Sequence, residues 1–429
     1  MLITKNFIGS FILFSVCFCQ GLMNSYGVGH FYKYQGNLSS SNNLSQLCPS
    51  FKNKTSLNNP STWHNLSFTV LSLSYSGNQN SQVNQNIRNG YSGLSKAQLI
   101  IPIKSFSSIG FEISPYIDSR FIGIDTNEIR YNTFSDIIQL TKNIERSGGI
   151  MNFNFSSSLK IIHSFNVGFR YNYLFGSSRK SRIYYIDDDV LINTYRSKYN
   201  GSFLELFSNY KFYNNFSIYL KLKKTIKPLN IDYFLKPMFN DVNGNGYYDG
   251  FDFPYLSGIK SDTVNITGLQ KPFGYAIGLN LLRNKNHSIS VEYSIDDNNL
   301  DFKNDEINDQ ILSNNWIDNS TSLIFSYINF YDMSKTNLLS KFTKRVGLIY
   351  LTHDMKFSNI LIEEYGASMG IGFNFKPLQN QIDFSYYLAN RIYTNGDIKE
   401  TVQQVQVGLS LADLWFVSRR KKWIILNCY

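Results

Sequence analysis

The stretch Tyr365-Gly-Ala-Ser-Met-Gly-Ile-Gly-Phe-Asn-Phe375 decides the fold class of this chain. Every second side chain in it is apolar, and those between are glycine, serine or asparagine. Because successive side chains of a β-strand point to opposite faces, a period of two predicts a strand with one apolar face. The same alternation recurs elsewhere, most clearly at Ile289–Ile295 and Val405–Leu411.

The alternation repeats in about fourteen stretches, each near the length of about 9 to 11 residues that a tilted strand needs to cross a membrane, or somewhat longer. We predict strands near residues 63–77, 95–104, 107–117, 149–161, 164–176, 200–213, 215–226, 273–284, 287–297, 319–332, 344–354, 365–377, 380–395 and 400–415.

The connections between these strands separate a membrane barrel from a soluble sandwich, whose strands also alternate. Short connections, such as Tyr213-Asn214-Asn215, take turns with long ones along most of the chain. Outer-membrane barrels have short periplasmic turns and long external loops. We therefore predict an all-β, transmembrane antiparallel β-barrel in the bacterial outer membrane, with both termini in the periplasm. Two connections fit less well, the long Met333–Thr343 and the short one after strand thirteen.

The first residues have the pattern of a secretory signal peptide. Lys5 precedes an apolar run from Phe7 to Phe18, which is shorter than the roughly 20 apolar residues of a membrane helix. We predict that residues 1–20 are removed and that the barrel occupies residues 63–429. Cleavage there leaves two cysteines, Cys48 and Cys428. A disulfide between them is one alternative, and its only support is that their number is even.

Charge excludes one class of partner and places some side chains in the lumen. The net charge of +10 is spread along the chain rather than gathered in one basic stripe, so a nucleic-acid surface is not expected. A charge facing the lipid midplane costs about 2 to 4 kcal/mol. We therefore predict that the charged residues on the polar faces of the strands point inward: Glu112, Arg170, Glu205, Lys221, Lys223, Glu292 and Asp383.

A segment without strand alternation, residues 21–62, precedes the first predicted strand and ends with Asn59, Pro60 and Ser61. In this the chain resembles the long-chain fatty acid transporters of the outer membrane (FadL-type). That resemblance implies a barrel of about fourteen strands, an N-terminal hatch inside the barrel, and an Asn-Pro-small motif near the end of the hatch.

Two further stretches resemble the sequences of barrels of this type from Bacteroidota-like bacteria. They are Asn24–Gly29 and Gly408–Phe416 with the basic residues after it. The chain departs from the family at its end, where Trp423–Tyr429 continues past the basic cluster, and we predict an extra or alternative closing strand there. An aromatic last residue such as Tyr429 is what the barrel-assembly machinery commonly recognises in such proteins.

The strongest local motif is a twelve-residue calcium-type loop inside the predicted external loop 227–272. It has glycine at position 6 and oxygen-bearing side chains at positions 1, 3, 5, 9 and 12, the last an aspartate instead of the usual glutamate. The predicted Ca²⁺ ligands are Asp241, Asn243, Asn245, the carbonyl of Tyr247, Asp249 and Asp252. The alternative is a polar turn without metal.

These observations favour a transporter-like barrel for passive uptake of small hydrophobic molecules, gated by the hatch. Phe203 and Phe207 are inward positions of its expected apolar site. The alternative is a non-transport barrel that acts as a partner-binding or secretion-machinery subunit. We do not predict an enzyme, because neither His353 nor His163 has a nucleophile at a recognised spacing.

Overall fold

The structure is a computed structural model that describes most of the chain. The predicted signal peptide, the end of the chain from residue 414, and Cys428 lie outside the described residues. The described ranges are 22–32, 45–82, 88–104, 106–132, 137–186, 189–213, 215–236, 238–254, 262–284, 286–300, 316–332, 338–356, 360–375, 380–394 and 398–413.

A closed antiparallel barrel of fourteen strands is the core of the molecule. Neighbouring strands along the chain pair with each other, and the last pairs with the first through Leu411 and Leu71. The strands are β1 Thr69–Gln82, β2 Arg88–Lys104, β3 Ser107–Asp118, β4 Ile137–Lys160, β5 Phe165–Ile186, β6 Asp189–Tyr213, β7 Phe216–Leu235, β8 Phe273–Arg283, β9 His287–Asp297, β10 Trp316–Asn329, β11 Phe342–Lys356, β12 Leu361–Phe375, β13 Asn380–Tyr393 and β14 Lys399–Asp413.

Shorter elements lie outside this cylinder or inside it. They are the strands His30–Phe31, Phe121–Asn132, Phe239–Asn240, Phe253–Pro254 and Asp262–Gln270, and the 3-10 helices Leu22–Ser25, Pro60–Asn65 and Leu338–Lys341. No helix among the described residues is both long and apolar enough to span a membrane.

The two faces of each strand differ as the alternation predicts. On β12, Met369 is 68% exposed, whereas Ser368 beside it is 4% exposed. Apolar side chains thus face outward and polar ones line the lumen, as in a barrel of the bacterial outer membrane. The prediction of inward charges is confirmed, because all seven of those side chains are buried.

Most predicted strands agree with the structure, but β1, β2 and the strands β4 to β7 differ from their predicted bounds. β2 begins at Arg88 instead of near residue 95. β1 starts at Thr69, not near residue 63, because Pro60–Asn65 forms a helix instead. β4 begins twelve residues earlier than the predicted 149, at Ile137. Above the lipid both faces of a strand carry polar side chains, so the apolar period ends although the strand continues.

The extended parts of β4 to β7 form a wall on the long-loop side of the barrel, which is the external side. Phe121–Asn132 pairs with the extended part of β4, and Asp262–Gln270 pairs with that of β7.

One seam of the barrel is incomplete. β2 and β3 pair only from their connection up to Ala97 opposite Ile113. Beyond that point the edge of β3 pairs instead with His30–Phe31, which come from before β1. Bulges terminate pairing, and β2 and β3 each carry one near this point. The β1–β2 ladder shifts its register between Ser74 and Tyr75, and the β3–β4 ladder shifts between Pro115 and Ile117.

Candidate functional site

Two stretches before β1, residues 22–32 and 45–66, form an N-terminal segment inside the barrel. At the external end the amide of Leu22 donates to Glu400 Oε1 at 2.7 Å. At the periplasmic half Gln98 Nε2 donates to the carbonyl of Leu57 at 2.9 Å. Leu22 thus lies at the external end of the lumen, because an even strand number fixes only the two ends of the barrel sheet. Both termini lie outside the described residues, so their place in the periplasm stays a prediction. The gating role of a hatch stays a prediction.

The motif Asn59, Pro60 and Ser61 is buried and begins the helix Pro60–Asn65. The Asn59 side chain caps the helix, because its Oδ1 accepts from the Ser61 amide at 3.1 Å. A Cβ atom on Gly168 of β5 would lie 2.7 Å from the Pro60 Cβ atom. Glycine at this position therefore lets the motif pack directly against β5.

Glu292 of β9 fixes the first described residues of the lower stretch. Its Oε2 accepts hydrogen bonds from Ser45 Oγ at 2.6 Å and from the amides of Gln46 and Leu47 at 2.9 and 3.0 Å. Glu292 is 3% exposed. Hydrogen bonds to a buried carboxylate are stronger than those between neutral groups, so this side chain anchors the segment.

A layer of ion pairs crosses the lumen above the motif. The pairs are Lys96–Glu112 at 2.9 Å, Lys221–Glu205 at 3.3 Å, Arg170–Glu205 at 3.5 Å and Lys223–Asp296 at 3.6 Å. Arg170 also donates to the carbonyl of Asn58 at 2.6 Å, which links the layer to the N-terminal segment. Sequence reasoning placed Arg170 and Glu205 in the lumen but did not identify Lys96 or Asp296.

A cavity of about 120 Å³ lies within this charged layer. The rings of Phe203 and Phe207 line it, as predicted for inward positions, but each faces a cation. Lys223 lies 4.7 Å from the centre of the Phe203 ring, and the Arg170 guanidinium lies 5.2 Å from that of Phe207. An apolar cavity of about 150 Å³ can hold one benzene molecule. This cavity is nearly as large, but its lining mixes apolar side chains with the ion-paired ones.

The external end of the lumen is filled by an apolar cluster. Met23, Val28 and Phe31 of the N-terminal segment are buried in a core that includes Tyr199 of β6 and Trp316 of β10.

A buried arginine of β4 holds the same stretch. Arg146 donates to the carbonyls of Asn24, Ser25 and Gly27 at 3.2, 2.8 and 2.7 Å. The described part of the N-terminal segment therefore contacts the barrel strands at both ends of the lumen.

A second buried charge cluster lies beside this apolar core. Arg391 of β13 pairs with Glu364 at 2.7 Å and with Glu400 at 3.0 Å. His30 packs edge-to-face against His353, with ring centres 5.9 Å apart. Burial, with Arg391 and His353 nearby, holds the pKa of His30 well below its usual range.

The predicted calcium loop is ordered by hydrogen bonds to its own backbone. Asp241 Oδ1 and Oδ2 accept from the amides of Asn245 and Gly246 at 3.1 and 2.9 Å. Hydrogen bonds from the Phe251 amide and from Asn243 hold the pKa of Asp249 below its usual value.

These contacts bring the side chains of Asp241, Asn243, Asn245, Asp249 and Asp252 into one loop. In the described part of the chain, no group of three or more His, Cys, Asp or Glu side chains is arranged to hold a metal. The Ca²⁺ site stays a prediction.

The remaining candidates occupy structural positions. Cys48 is a free thiol, buried beside β8, and burial raises the pKa of this thiol. His353 and Ser320 share a hydrogen bond of 2.7 Å with both side chains buried. His163 is exposed in the turn between β4 and β5.

The comparisons with known proteins agree with this architecture. A sequence model of the BamG family matches residues 10–422. No curated protein matches the chain in sequence.

Three solved structures resemble the fold. The CymD monoaromatic hydrocarbon channel aligns with 10% identity and a TM-score of 0.53, over 91% of this chain and 99% of that one. The Ralstonia pickettii toluene transporter TbuX aligns with 11% identity and a TM-score of 0.53, over 91% and 99%. A FadL homologue of Pseudomonas aeruginosa aligns with 11% identity and a TM-score of 0.51, over 92% and 99%. At these identities the likeness concerns the fold.

Proposed function

Because the chain belongs to the BamG family, we propose that it is a partner-binding subunit of the barrel-assembly machinery in the bacterial outer membrane. The family name supports an association with barrel assembly. The observation that carries the proposal is the bonding of the N-terminal segment to the inner face of the barrel. The N-terminal segment is bonded to Glu292, Arg170, Arg146 and Glu400, which belong to four different strands.

The chemistry of the lumen also favours this role over solute transfer. A hydrophobic solute gains free energy only where it leaves water for an apolar surface. Inside this barrel it would have to displace partners of buried charges, which costs free energy because the charges lose their compensation. A plugged barrel instead offers partners a rigid surface in the membrane.

Co-purification from native membranes tests the proposal. A tagged chain, extracted in mild detergent, is expected to bring down the central barrel-assembly protein in a stable complex. Depletion of the chain is expected to lower the amount of other outer-membrane barrels while toluene uptake stays normal. Loss of toluene uptake with normal barrel assembly would contradict the proposal.

Passive uptake of small hydrophobic molecules is the second candidate, and one observation favours it. The charged cavity is lined by Ser95 and Lys96 on β2 and by Ser114–Tyr116 on β3. These residues lie where the β2–β3 pairing stops, so the cavity borders the incomplete seam. Vesicles containing the purified chain test this candidate. Toluene entry faster than in protein-free vesicles would support uptake, and equal rates would exclude it.

A further inference from the structure

The two ends of the barrel differ in the charge of the connections between their strands. On the external side the connections contain more carboxylates than cations in sequence. On the periplasmic side they contain one carboxylate, Asp332, and the cations Lys285, Lys335, Lys341 and Lys376. The periplasmic face of the molecule is therefore positive.

Two further lysines lie at the periplasmic mouth of the lumen. Lys160 is the last residue of β4, and it pairs with Asn166 of β5, whose side chain is buried. Lys211 follows the buried Asn209 of β6 by two positions. Because side chains alternate along a strand, both lysines belong to the face that lines the lumen. Each of them is partly exposed.

The N-terminal segment places one of its side chains, His64, beside these lysines. Burial, with Lys211, Lys160 and His163 nearby, lowers the pKa of His64 to about 4. The basic side chains around His64 thus come from β4, from β6 and from the turn between β4 and β5. They form one group at the mouth, where the helix Pro60–Asn65 ends.

Among the described residues, neither Lys160 nor Lys211 forms an ion pair. The sequence extends this to the side chains around them. The chain has no Asp or Glu before Glu112, and the turns that join β2 to β3, β4 to β5 and β6 to β7 contain none.

The nearest carboxylate along β6 is already paired. Glu205 lies about 20 Å from Lys211 along the strand. It forms ion pairs with Lys221 and Arg170 in the charged layer. The strands and turns around the mouth therefore leave its two lysines without a nearby carboxylate.

The position of the lysines selects the kind of anion that reaches them. Their outward neighbours Leu159 and Phe212 are exposed on the lipid side, so the sheet separates the lysines from lipid headgroups. The residues that follow Asp413 contain no carboxylate and cannot supply the anion. Positive charge extends to the connections on the opposite side of the barrel. A face of this width suits a polypeptide with several carboxylates better than one small ion.

We propose that the periplasmic face of the barrel, centred on Lys160 and Lys211, binds an acidic polypeptide segment of a periplasmic partner. This inference rests on the proposed partner-binding function and names the side of the membrane and the chemistry of the contact. Charge complementarity raises the association rate and helps to select the partner. The attraction weakens as salt increases, because the contact is open to solvent.

Fluorescence anisotropy of a labelled hexaglutamate peptide tests the proposal on the purified full chain. We expect binding at low salt and none for a hexaglutamine peptide. The double variant K160Q/K211Q should bind at least about fivefold more weakly, because two charge contacts are lost. The matched control R196Q/K198Q removes the same charge from exposed positions in the external part of β6, and its affinity should stay within about twofold of wild type. Heat-modifiable gel mobility shows that each variant is folded.

Three results would overturn the proposal. Equal affinity of wild type and K160Q/K211Q would place the peptide elsewhere, and an equal loss in R196Q/K198Q would assign binding to overall charge. Displacement of the peptide by short-chain phosphatidylglycerol or by inorganic phosphate, beyond the effect of chloride at equal ionic strength, would indicate a headgroup or small-anion site. None of these results alters co-purification of the wild type with the barrel-assembly protein. A failure here is therefore distinguishable from a failure of the proposed function.

Discussion

At the scale of single residues, buried charges determine how the N-terminal segment is held. Alternation alone placed Glu292 in the lumen, because a carboxylate on a strand cannot face hydrocarbon at low cost. Its partners could not be predicted from the sequence. Ser45 and Gln46 are separated from Glu292 by 247 and 246 positions, and no local pattern connects them.

Replacing Glu292 with alanine is expected to release the lower stretch of the segment. Hydrogen bonds to a charged group contribute about 1.5 to 3 kcal/mol each, so losing three acceptor contacts speeds amide exchange by roughly a hundredfold or more. Hydrogen exchange read by mass spectrometry over residues 45–50, at constant pH, checks this. Glu363→Ala is the control, since the described side-chain partners of Glu363 are Tyr350 and Tyr365 on the outer face of the barrel. Unchanged exchange in Glu292→Ala would refute the anchoring role.

His30 is expected to make the upper stretch sensitive to acid. Its pKa lies well below 6.5 in the barrel, so a released segment takes up a proton that the bound segment does not. The bound state is therefore favoured above about pH 6.5 and loses stability as the pH falls. A nitroxide label on Ser25→Cys should become more mobile at pH 5 than at pH 7.5. The change should shrink in a His30→Asn background, and a change of the same size there would assign the effect to another group.

At the scale of elements, the sequence predicts strands well where one face meets lipid and poorly elsewhere. β8, β9 and β13 lie within two residues of their predicted bounds, because apolar and polar faces alternate along their whole length. The external parts of β4 to β7 lack that contrast, so their extent was missed. The predicted first strand wrongly included the end of the helix Pro60–Asn65. A stretch of six residues is too short for its apolar pattern to distinguish a helix from a strand.

The external loop is expected to bind one calcium ion, which we propose from its residue spacing. Three carboxylates and two amides make a modestly charged site, so the affinity should be about 10⁻⁴ to 10⁻³ M. Calcium should protect residues 241–252 from protease in the wild type but not in D241A/D249A. Asp232→Ala, an exposed change on β7 outside the motif, should keep the protection. Equal cleavage of the wild type in calcium and in chelator would show that the motif is only a turn.

At the scale of the whole molecule, the barrel fold resembles that of channels, whereas the residues inside the lumen favour a partner-binding role. The cylinder has the strand number and the outer-membrane location of channels for hydrophobic compounds. The described residues of the interior form an apolar cluster at the external end, a charged layer in the middle and the Asn59–Ser61 motif below. The sequence predicted the cylinder and a preceding segment. The ion-pair layer needed the structure, because its members come from β2, β3, β5, β6, β7 and β9.

Single-channel conductance in planar bilayers tests the central claim that the N-terminal segment closes the barrel. The purified wild type should give no steady open-pore current. A chain that lacks residues 22–62 but keeps heat-modifiable mobility should give stable channels, because the charged lumen then fills with water. Steady current of the same size from both proteins would contradict the account.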